Sequence, residues 1–290
     1  MPLLIADSGS TKTEWLLRDG AETITVRTGG INPALMADAD VRAAIAEAVS
    51  NVLAARTHGK DSDAQLLCAR VYYYGAGCTP ERIPVVERAL RDVLVGAEEV
   101  EVRSDLVGAA RALVGRGEGI ACILGTGEAS CLCRDGEIME QTPSLGYILG
   151  DEGSGAVLGR LLLGAVFKRQ LPQAVCDAFH AEYALTQAEA IARIYRSPQP
   201  NRFLASFAPF LAKHREVDAV CDLLVTEFRR FFRHNIAAYS RPDLPVSFVG
   251  SVAHHFALEL RAAARAEGFS VDRILQMPLP ALSIYHNSTP

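Results

Sequence analysis

Short apolar runs that stop abruptly at small or acidic residues open this chain. The first run covers residues 3–6 and ends at Asp7. A small, hydroxyl-rich turn follows over residues 8–13, and apolar residues return at 15–17. Short apolar runs bounded by turn-forming residues are typical of buried strands. The pattern therefore predicts a strand, a tight polar turn and a second strand.

Strands and helices alternate over the rest of the first half. Residues 40–55 show the apolar spacing of an amphipathic helix, with Asp38 or Asp40 as its N-cap. Thr79 and Pro80 predict the start of a second helix, with threonine at the cap and proline at the first helical position. Further strands are predicted at residues 22–27, 69–74 and 100–103, and a third helix at 106–114. Because helices connect the strands, this order predicts a mixed sheet with crossover helices.

The same pattern restarts near residue 120. An apolar strand over residues 120–124 ends at Gly125, Thr126 and Gly127, much as the first strand ends at its polar turn. Further strands are predicted at residues 129–133, 138–140, 246–249 and 270–275, and helices at 154–239 and 252–267. Two halves that open alike predict two domains, residues 1–116 and 117–290. Since no low-complexity linker separates them, a hinge is expected at the glycine-rich residues 115–119.

The composition fits a protein with a large core and no nucleic-acid partner. The chain has 290 residues, of which 49% are hydrophobic and 22% charged, enough to bury substantial cores. Its net charge of -5 lacks the basic footprint of a nucleic-acid binder. No apolar stretch approaches the roughly twenty residues of a membrane span, and no signal peptide is indicated. We expect a cytoplasmic protein that binds neither nucleic acid nor membrane.

The cysteines support the same location. They number seven, and most are embedded in apolar segments, which favours reduced thiols over a disulfide framework. Cys131 and Cys133 form a close pair. Because no further Cys or His follows at zinc-site spacing, we interpret them as strand residues on one face.

Polar residues that follow apolar strands are the candidates for chemistry. They are Asp7 with its turn, Asp105, Thr126 between two glycines, and the pair Gly250 and Ser251. In open α/β sheets, ligands bind beyond the carboxyl ends of the strands. Glycine-rich turns let the backbone approach a polyphosphate closely, and the carboxylate of Asp7 suits a metal ion. An ordinary hairpin turn is the alternative for residues 8–13, and the spacing of a Walker A motif is absent.

Four segments in this order, DSGSTKTEW, ILGTG, GYILGDEGSG and FVGSVA, resemble the acetate kinase/hexokinase/Hsp70/actin superfamily. Within it the chain is similar to the N-acetylglucosamine kinase-like group, which shares a domain type with the ATPase activators of the benzoyl-CoA reductase system. The resemblance covers essentially the whole chain. It implies an α/β fold of two duplicated ribonuclease H-like (actin-like ATPase) domains, with an interdomain cleft that closes around ATP and a sugar.

The resemblance also implies which residues bind the nucleotide. Asp7 would act on Mg²⁺ through the water shell of the ion. The first phosphate turn would consist of Ser8, Gly9, Ser10, Thr11 and Lys12. The second phosphate turn would consist of Gly125, Thr126 and Gly127. A third turn, Gly250, Ser251 and Val252, would approach the adenosine. Lys12 has the alternative of a solvated turn lysine.

A second set of residues would bind the sugar by the same resemblance. Asp105 matches the catalytic base of hexokinase-like enzymes, where a carboxylate takes the proton of the acceptor hydroxyl. Asn32 matches an amide that binds sugar hydroxyls, and Gly146 and Asp151 match positions that line the sugar pocket, with Glu152 beside them. Structural alternatives exist: Asp105 as a helix N-cap, Asn32 as a loop residue, and Asp151 as a turn residue or N-cap.

Two features depart from the family pattern. Glu128 stands where a small hydroxyl residue is usual, and a carboxylate there would repel phosphate unless it points away or meets Mg²⁺. Ser144 and Leu145, also counted as substrate-binding residues, precede Gly146 where characterised sugar kinases tend to carry Gly and Trp. The identity of the sugar is therefore open.

The resemblance implies an ATP- and Mg²⁺-dependent kinase for an amino sugar, with the 6-hydroxyl of N-acetylglucosamine as the expected acceptor. N-acetylmuramic acid and glucosamine are alternative acceptors. An ATPase that activates a partner redox enzyme through a cysteine-bound iron–sulfur cluster is a second class. A sugar-sensing regulator is a third, disfavoured by the acidic charge and the lack of a DNA-binding helix pair. A homodimer is expected from family behaviour.

Overall fold

The computed structural model describes residues 2–9, 11–55 and 70–287, so Ser10 of the first predicted phosphate turn lies outside the described residues. The chain divides into two compact units. One contains the residues up to Gly115 together with the segment that starts at Pro278, and the other is Arg116–Met277. Each unit is built around one five-stranded sheet.

The first unit carries a mixed sheet whose parallel strands end at one edge. Its strands are β1 (Leu3–Ser8), β2 (Lys12–Asp19), β3 (Glu22–Gly29), β4 (Arg70–Gly75) and β5 (Glu99–Ser104). The spatial order is β3-β2-β1-β4-β5, with β1 to β3 antiparallel and β4 and β5 parallel to β1. The carboxyl ends of β1, β4 and β5 therefore lie side by side, and residues that follow these strands are neighbours.

The crossover helices of this unit are α1 (Asp38–Ala54), α2 (Ile83–Val93) and α3 (Asp105–Leu113). Helix α1 packs one face into a core that includes Trp15 and Tyr73. Its buried positions follow the helical spacing and are Val41, Ile45, Ala48, Val49 and Val52. The N-cap is Ala37, so Asp38 and Asp40 are not the predicted cap; they lie in the first turn, where negative charge suits the helix dipole.

Helix α2 begins later than the sequence predicts. The Thr79 carbonyl accepts the amides of Arg82 and Ile83, both at 2.9 Å, which closes a turn ahead of the helix. Pro84, not Pro80, lies in the first helical turn. Either proline fits a helix start, because proline lacks the amide hydrogen that the first turn leaves unpaired. The turn at Thr79 decides between them.

The second unit repeats the topology of the first. Its strands are β6 (Glu118–Leu124), β7 (Glu128–Arg134), β8 (Glu137–Thr142), β9 (Val246–Val249) and β10 (Val271–Leu275). The order is β10-β9-β6-β7-β8, with β6 to β8 antiparallel and β9 and β10 parallel to β6 and β9 respectively. When the strands of each unit are numbered from one to five along the chain, both sheets have the same spatial order, 3-2-1-4-5. The predicted restart is confirmed, and the fold is α/β with two duplicated sheets of the actin-like type.

Helices form much of the second unit. They are α4 (Gly146–Leu149), α5 (Gly155–Phe167), α6 (Gln173–Tyr183), α7 (Gln187–Arg196), α8 (Pro200–Ala205), α9 (Ala208–Lys213), α10 (Asp218–Phe231), α11 (Ser251–His255) and α12 (Ala257–Ala266). Helix α10 continues into a π-helical turn (Phe232–Ile236) and a 3₁₀ turn (Ala237–Tyr239). The helix predicted over residues 252–267 is interrupted at Phe256, whose buried ring lies 6.2 Å from that of Phe228.

The last helix, α13 (Leu279–Asn287), packs against the first unit. His286 Nε2 shares a hydrogen bond of 2.7 Å with the Tyr74 hydroxyl, and the His286 ring stacks on Tyr72 at 3.6 Å between centroids. The predicted second domain, residues 117–290, included this helix. A short helix at a chain end carries no local signal of which sheet it covers, because its partners meet it only on folding.

The close cysteine pair lies in strand β7, as predicted. Cys131 and Cys133 are both buried, and the Cys133 thiol donates to the Gly119 carbonyl at 3.3 Å. In the part of the chain that the structure describes, no helix combines the length and the apolar character needed to cross a membrane.

Candidate active site

Two carboxylates stand at the carboxyl edge of the first sheet. Asp7 is the penultimate residue of β1, and Asp105 follows β5 directly as the first residue of α3. Both residues are partly exposed. The parallel arrangement of β1, β4 and β5 brings the two carboxylates close enough for the charge of Asp105 to act on Asp7. Two residues that are distant in the sequence thus share one site.

The surroundings of Asp7 are rich in negative charge. Burial, followed by the charges of Asp105 and Glu14, raises the pKa of Asp7 to about 7, while Lys12 acts in the opposite direction. Glu14 pairs with Asp7 across β1 and β2 and is held by Lys12 at 2.9 Å and Arg27 at 2.7 Å. A carboxylate in such surroundings gains from a nearby cation. The residues present therefore fit a magnesium ion beside Asp7.

The start of helix α3 positions Asp105. Ser104 is the N-cap, and its Oγ accepts the Val107 amide at 3.4 Å, so Asp105 is not the cap. One carboxylate oxygen of Asp105 accepts the Leu106 amide at 3.0 Å. Burial raises the pKa of Asp105 to about 6, and backbone hydrogen bonds act to lower it. Asp105 is therefore mostly ionised at neutral pH and able to accept a proton.

The first polar turn is closed by its own hydrogen bonds. Ser8 is buried, and its hydroxyl bonds to Thr13 Oγ1 at 2.7 Å and donates to the Ile31 carbonyl at 2.9 Å. The Gly9 amide donates to the Lys12 carbonyl at 2.9 Å. The Ser8 hydroxyl is thus hydrogen-bonded within the protein, and the Lys12 ammonium group is paired with the Glu14 carboxylate. Among the described residues of the turn, Thr11 and Lys12 are exposed.

The loop that carries Asn32 is tied to this turn. Ile31 also donates its amide to the Ser8 hydroxyl, at 3.3 Å, and Asn32 Oδ1 accepts the Ala34 amide at 3.1 Å. Gly77 follows β4 and approaches Asn32 so closely that a Cβ there would overlap Oδ1. Its φ of +77° also favours glycine. Asn32 therefore lies at the same sheet edge as the two carboxylates.

Arg82 holds the same loop, although no sequence motif marks it. Its Nε donates to the Pro33 carbonyl at 2.7 Å, its Nη2 to the Met36 carbonyl at 3.1 Å, and its Nη1 pairs with Asp38 at 2.9 Å. The planar guanidinium presents its donors in a fixed fork. Arg82 therefore fixes the backbone that follows Asn32.

In the second unit, the glycine-rich turn at residues 125–127 is joined to the start of helix α5. The carbonyls of Gly125 and Thr126 accept the amides of Gly155 at 2.8 Å and Ala156 at 3.1 Å. These amides belong to the first helical turn, where a helix has no internal acceptor for them. The predicted second phosphate turn is therefore held in place by the segment GDEGSG.

Asp151 lies beside this turn. Its φ is +56°, and hydrogen bonding from the backbone of Glu128 and Gly146 acts to lower the pKa of its carboxyl group. A Cβ at Gly127 would stand 3.2 Å from Asp151 Oδ2. Burial raises the pKa of Asp151 to about 6, against the effect of these hydrogen bonds. The N-cap of α5 is Ser154, so Asp151 is not a cap; it joins the predicted sugar-pocket segment to the predicted phosphate turn.

Side chains from the helical region hold the residues that follow Asp151. His234 Nδ1 lies 2.8 Å from Glu152 Oε1, and the Asn235 amide group donates to the same carboxylate at 3.5 Å. Glu227 accepts the Gly153 amide at 3.2 Å. The histidine and asparagine lie in the π-helical turn, a feature often found at functional sites. The sequence analysis did not predict His234, Asn235 or Glu227. Only Glu227 carried a signal in the sequence, as a glutamate among the apolar positions of α10.

Glu128 is the first residue of β7 and is only 7% exposed. Its Oε2 is buried and has no hydrogen-bond partner among the described residues. Burial, followed by the charges of Asp151 and Glu152, raises the pKa of Glu128 to about 8. Ser144 donates to the Glu128 carbonyl at 3.0 Å, and the next residue, Leu145, is 58% exposed. The Glu128 side chain therefore does not point into solvent and is mostly protonated at neutral pH.

The turn after β9 adjoins the end of β6. Gly250 has a φ of +126°, and a Cβ there would overlap the carbonyl of Leu124, which directly precedes the turn at residues 125–127. Helix α11 then begins at Ser251, and Val252 is buried. The predicted adenosine turn and the predicted second phosphate turn are thus neighbours.

Within residues 2–9, 11–55 and 70–287, no three metal-binding side chains are close enough to hold an ion together. Mg²⁺ commonly keeps several waters and binds through one or two carboxylates plus substrate phosphates. A single carboxylate such as Asp7 is compatible with that mode, in which the protein supplies little of the coordination.

Comparison with known proteins identifies the family. No protein-family model matches the chain, and no curated protein matches it. A solved structure from Porphyromonas gingivalis, named a putative N-acetylglucosamine kinase, is 44% identical over 99% of both chains, with a TM-score of 0.92. One of the same name from Chromobacterium violaceum is 17% identical over 98% of both chains, with a TM-score of 0.72.

A third structure, a putative sugar kinase from Cytophaga hutchinsonii, is 13% identical and covers 99% of this chain and 100% of its own, with a TM-score of 0.52. The structures from Chromobacterium violaceum and Cytophaga hutchinsonii share the fold of this chain. The structure from Porphyromonas gingivalis is similar in both sequence and structure over the full length. The chain therefore belongs to the N-acetylglucosamine kinase-like family of sugar kinases.

Proposed function

We propose that this protein transfers the γ-phosphoryl group of ATP to the 6-hydroxyl of N-acetylglucosamine. The observation that carries the proposal is the position of Asp105, a partly exposed carboxylate that stands with Asp7 at the carboxyl edge of a parallel sheet. Membership of a sugar kinase family supports the reaction class. The name of the Porphyromonas gingivalis structure supports the acceptor.

In the proposed reaction, the acceptor hydroxyl oxygen bonds to the γ-phosphorus, and the bond to the oxygen that bridges the β- and γ-phosphates breaks. Asp105 accepts the hydroxyl proton. A positioned base of this kind contributes about 10²–10⁴-fold in rate, and positioning with charge neutralisation supplies most of the rest. With a pKa of about 6, Asp105 returns that proton to solvent at neutral pH.

The nucleotide would be bound by the three turns described above. Mg²⁺, held through water by Asp7, would neutralise phosphate charge. Residues 8–12 and 125–127 would contact the phosphates, mainly through the backbone, since the Ser8 hydroxyl is bonded to Thr13. Gly250, Ser251 and Val252 would contact the adenosine.

The sugar would be bound by Asn32, Gly146 and Asp151, flanked by Ser144 and Leu145. Leu145 exposes an apolar side chain rather than a stacking ring. The acetamido methyl group is the apolar part of N-acetylglucosamine, and contact with Leu145 would remove both from water. This favours an N-acetylated acceptor over glucosamine.

A panel of sugars tests the acceptor. With Mg-ATP, we expect ADP release above the sugar-free rate with N-acetylglucosamine, and a product heavier by one phosphoryl group whose 6-position is substituted. Glucosamine and N-acetylmuramic acid should react with lower kcat/KM. Equal kcat/KM for glucosamine would contradict the role of the acetyl group, and no turnover with any amino sugar would contradict the kinase proposal.

The activator alternative has less support in the structure. Cys131 and Cys133 are buried in β7, whereas a cluster shared with a partner needs accessible thiolates. The absence of iron and of iron–sulfur absorption in purified protein is the expected result. The homodimer remains a prediction, for which the molar mass in solution is the measurement.

Replacement of Arg82 by alanine should raise the KM for the sugar while the KM for ATP stays near its wild-type value. The reason is the loop after Asn32, which loses its hydrogen bonds to the guanidinium. Hydrogen bonds to charged groups contribute about 1.5–3 kcal/mol, so a roughly tenfold or larger increase in the KM for sugar is expected. Steady-state kinetics with each substrate varied is the measurement.

Arg91→Ala is the matched control, because Arg91 pairs on an exposed surface with Glu87 four residues earlier in α2. It should leave both KM values unchanged. Equal changes in the KM for sugar and for ATP in Arg82→Ala would show that Arg82 acts on the whole unit and not on the Asn32 loop.

A further inference from the structure

Glu128 is a buried acidic side chain that the proposed reaction does not use. It directly follows the turn at residues 125–127 and stands at the first position of β7. The side chain is 7% exposed, and its Oε2 lacks a hydrogen-bond partner among the described residues. A buried polar atom without a partner destabilises the folded protein, because the hydrogen bonds that it made to water are lost and not replaced. Because Glu128 is the first residue after the predicted phosphate turn, a ligand bound at that turn is a candidate partner for this atom.

The neighbouring carboxylates are satisfied, unlike Glu128. Hydrogen bonding from the backbone of Glu128 and Gly146 favours the ionised form of Asp151. Glu152 is bonded to His234 at 2.8 Å and to Asn235 at 3.5 Å. Of the three carboxyl groups Glu128, Asp151 and Glu152, Glu128 is therefore the one with a buried oxygen, Oε2, that lacks a hydrogen-bond partner among the described residues.

The charged and titratable groups that face Glu128 favour its neutral form. Asp151 and Glu152 act on it from the segment before α5, with His234 of the π-helical turn bonded to Glu152. Cys122 of β6 is the neighbouring thiol, and burial raises its pKa well above the usual value. No arginine or lysine acts on Glu128 among the described residues. Burial and like charge both disfavour the carboxylate.

We propose that protonated Glu128 donates a hydrogen bond to a phosphate oxygen of the nucleotide bound at residues 125–127. The inference rests on the proposed kinase function and assigns an additional phosphate-binding residue to the same site. A neutral carboxyl group has an O–H donor, whereas phosphate oxygens only accept. An ionised Glu128 would instead repel the phosphates. Nucleotide binding therefore requires the proton on Glu128 and weakens when that proton is lost.

The test compares the wild type with Glu128→Gln, which keeps the size and a donor but cannot ionise. Mg-ADP affinity is measured by calorimetry from pH 6.5 to 9. For a group that titrates near pH 8, the wild-type Kd should rise about tenfold between pH 7 and pH 9. The Glu128→Gln Kd should stay nearly constant, which also controls for titration of the ligand itself. Glu140→Gln, at an exposed position of β8, should follow the wild type.

A ligand-free readout tests the buried proton separately. The pKa of Glu128 rises from 4.5 in a solvated chain to about 8 in the folded protein. Between these two pKa values the folded protein keeps the Glu128 proton, whereas the unfolded chain has lost it. The free energy of unfolding therefore falls as the pH rises from about 5 to 8. The Tm of Glu128→Gln should exceed that of the wild type by a margin that widens over this range, by roughly 5 °C or more.

The outcomes separate the two proposals. Absence of Mg-ADP binding in both proteins overturns the kinase function together with this inference. Binding with the same pH dependence in wild type and Glu128→Gln overturns only the role of Glu128. A pH-dependent difference seen with N-acetylglucosamine alone and not with Mg-ADP would assign the donor to the sugar and overturn the phosphate assignment.

Discussion

Asp105→Asn should lower kcat for sugar phosphorylation by about 10²–10⁴-fold, the usual contribution of a positioned general base. Asparagine has the same shape and keeps an oxygen that can accept the Leu106 amide, as Asp105 does at 3.0 Å. It cannot take up the hydroxyl proton. The substitution also removes a carboxylate whose burial raises its pKa to about 6, so it should not impair folding.

The measurement is steady-state and single-turnover kinetics with N-acetylglucosamine, together with the equilibrium affinity for Mg-ADP. We expect the affinity for nucleotide to stay near the wild-type value while turnover is lost. Asp40→Asn is the control, since Asp40 is an exposed residue in the first turn of α1. Full activity in Asp105→Asn would show that another group accepts the proton.

The second large effect concerns two glycines of helix α5. Gly159→Ala should destabilise the fold by about 1–3 kcal/mol or more, the range for overpacked cores. A Cβ at Gly159 would overlap the backbone carbonyl of Leu204, which belongs to helix α8. Because the obstacle is backbone, no side-chain rotation relieves it, and α5 and α8 must separate.

Gly164→Ala in the same helix should have the opposite effect. A Cβ at Gly164 meets no atom within 4 Å, and alanine in a helix interior is favoured over glycine by about 1 kcal/mol. Urea denaturation of both variants measures the difference in the free energy of unfolding. Destabilisation of equal size in the two variants would contradict the close packing of α5 on α8.

Local patterns predicted the sheets of this protein well. The apolar runs at residues 3–6 and 120–124, each followed by a polar turn, correspond to β1 and β6, and the restart between them corresponds to two sheets of the same topology. A buried strand needs only a few consecutive apolar residues, so a short apolar run marks it directly in the sequence. Asp7 and Asp105 could be singled out because ligands bind where parallel strands end.

Helix starts were predicted less well, because several residues compete for the same role. Thr79 with Pro80 and Ile83 with Pro84 both resemble a helix start, and the structure uses the second pair. At α3 the cap is Ser104 and not Asp105, although both residue types are good caps. Because Ser104 caps the helix, Asp105 lies in its first turn, and the Asp105 carboxylate is not needed as the cap.

The sequence by itself determined the succession of strands and helices along each half, the polar turns that follow the strands and the family to which the chain belongs. Only the tertiary structure decided that Arg82 holds the Asn32 loop, that α13 covers the first sheet, and that Glu128 is buried without a partner. These features depend on atoms tens to hundreds of residues apart in the chain. A local pattern cannot encode such contacts, because the partner of a side chain is set by how the whole chain packs.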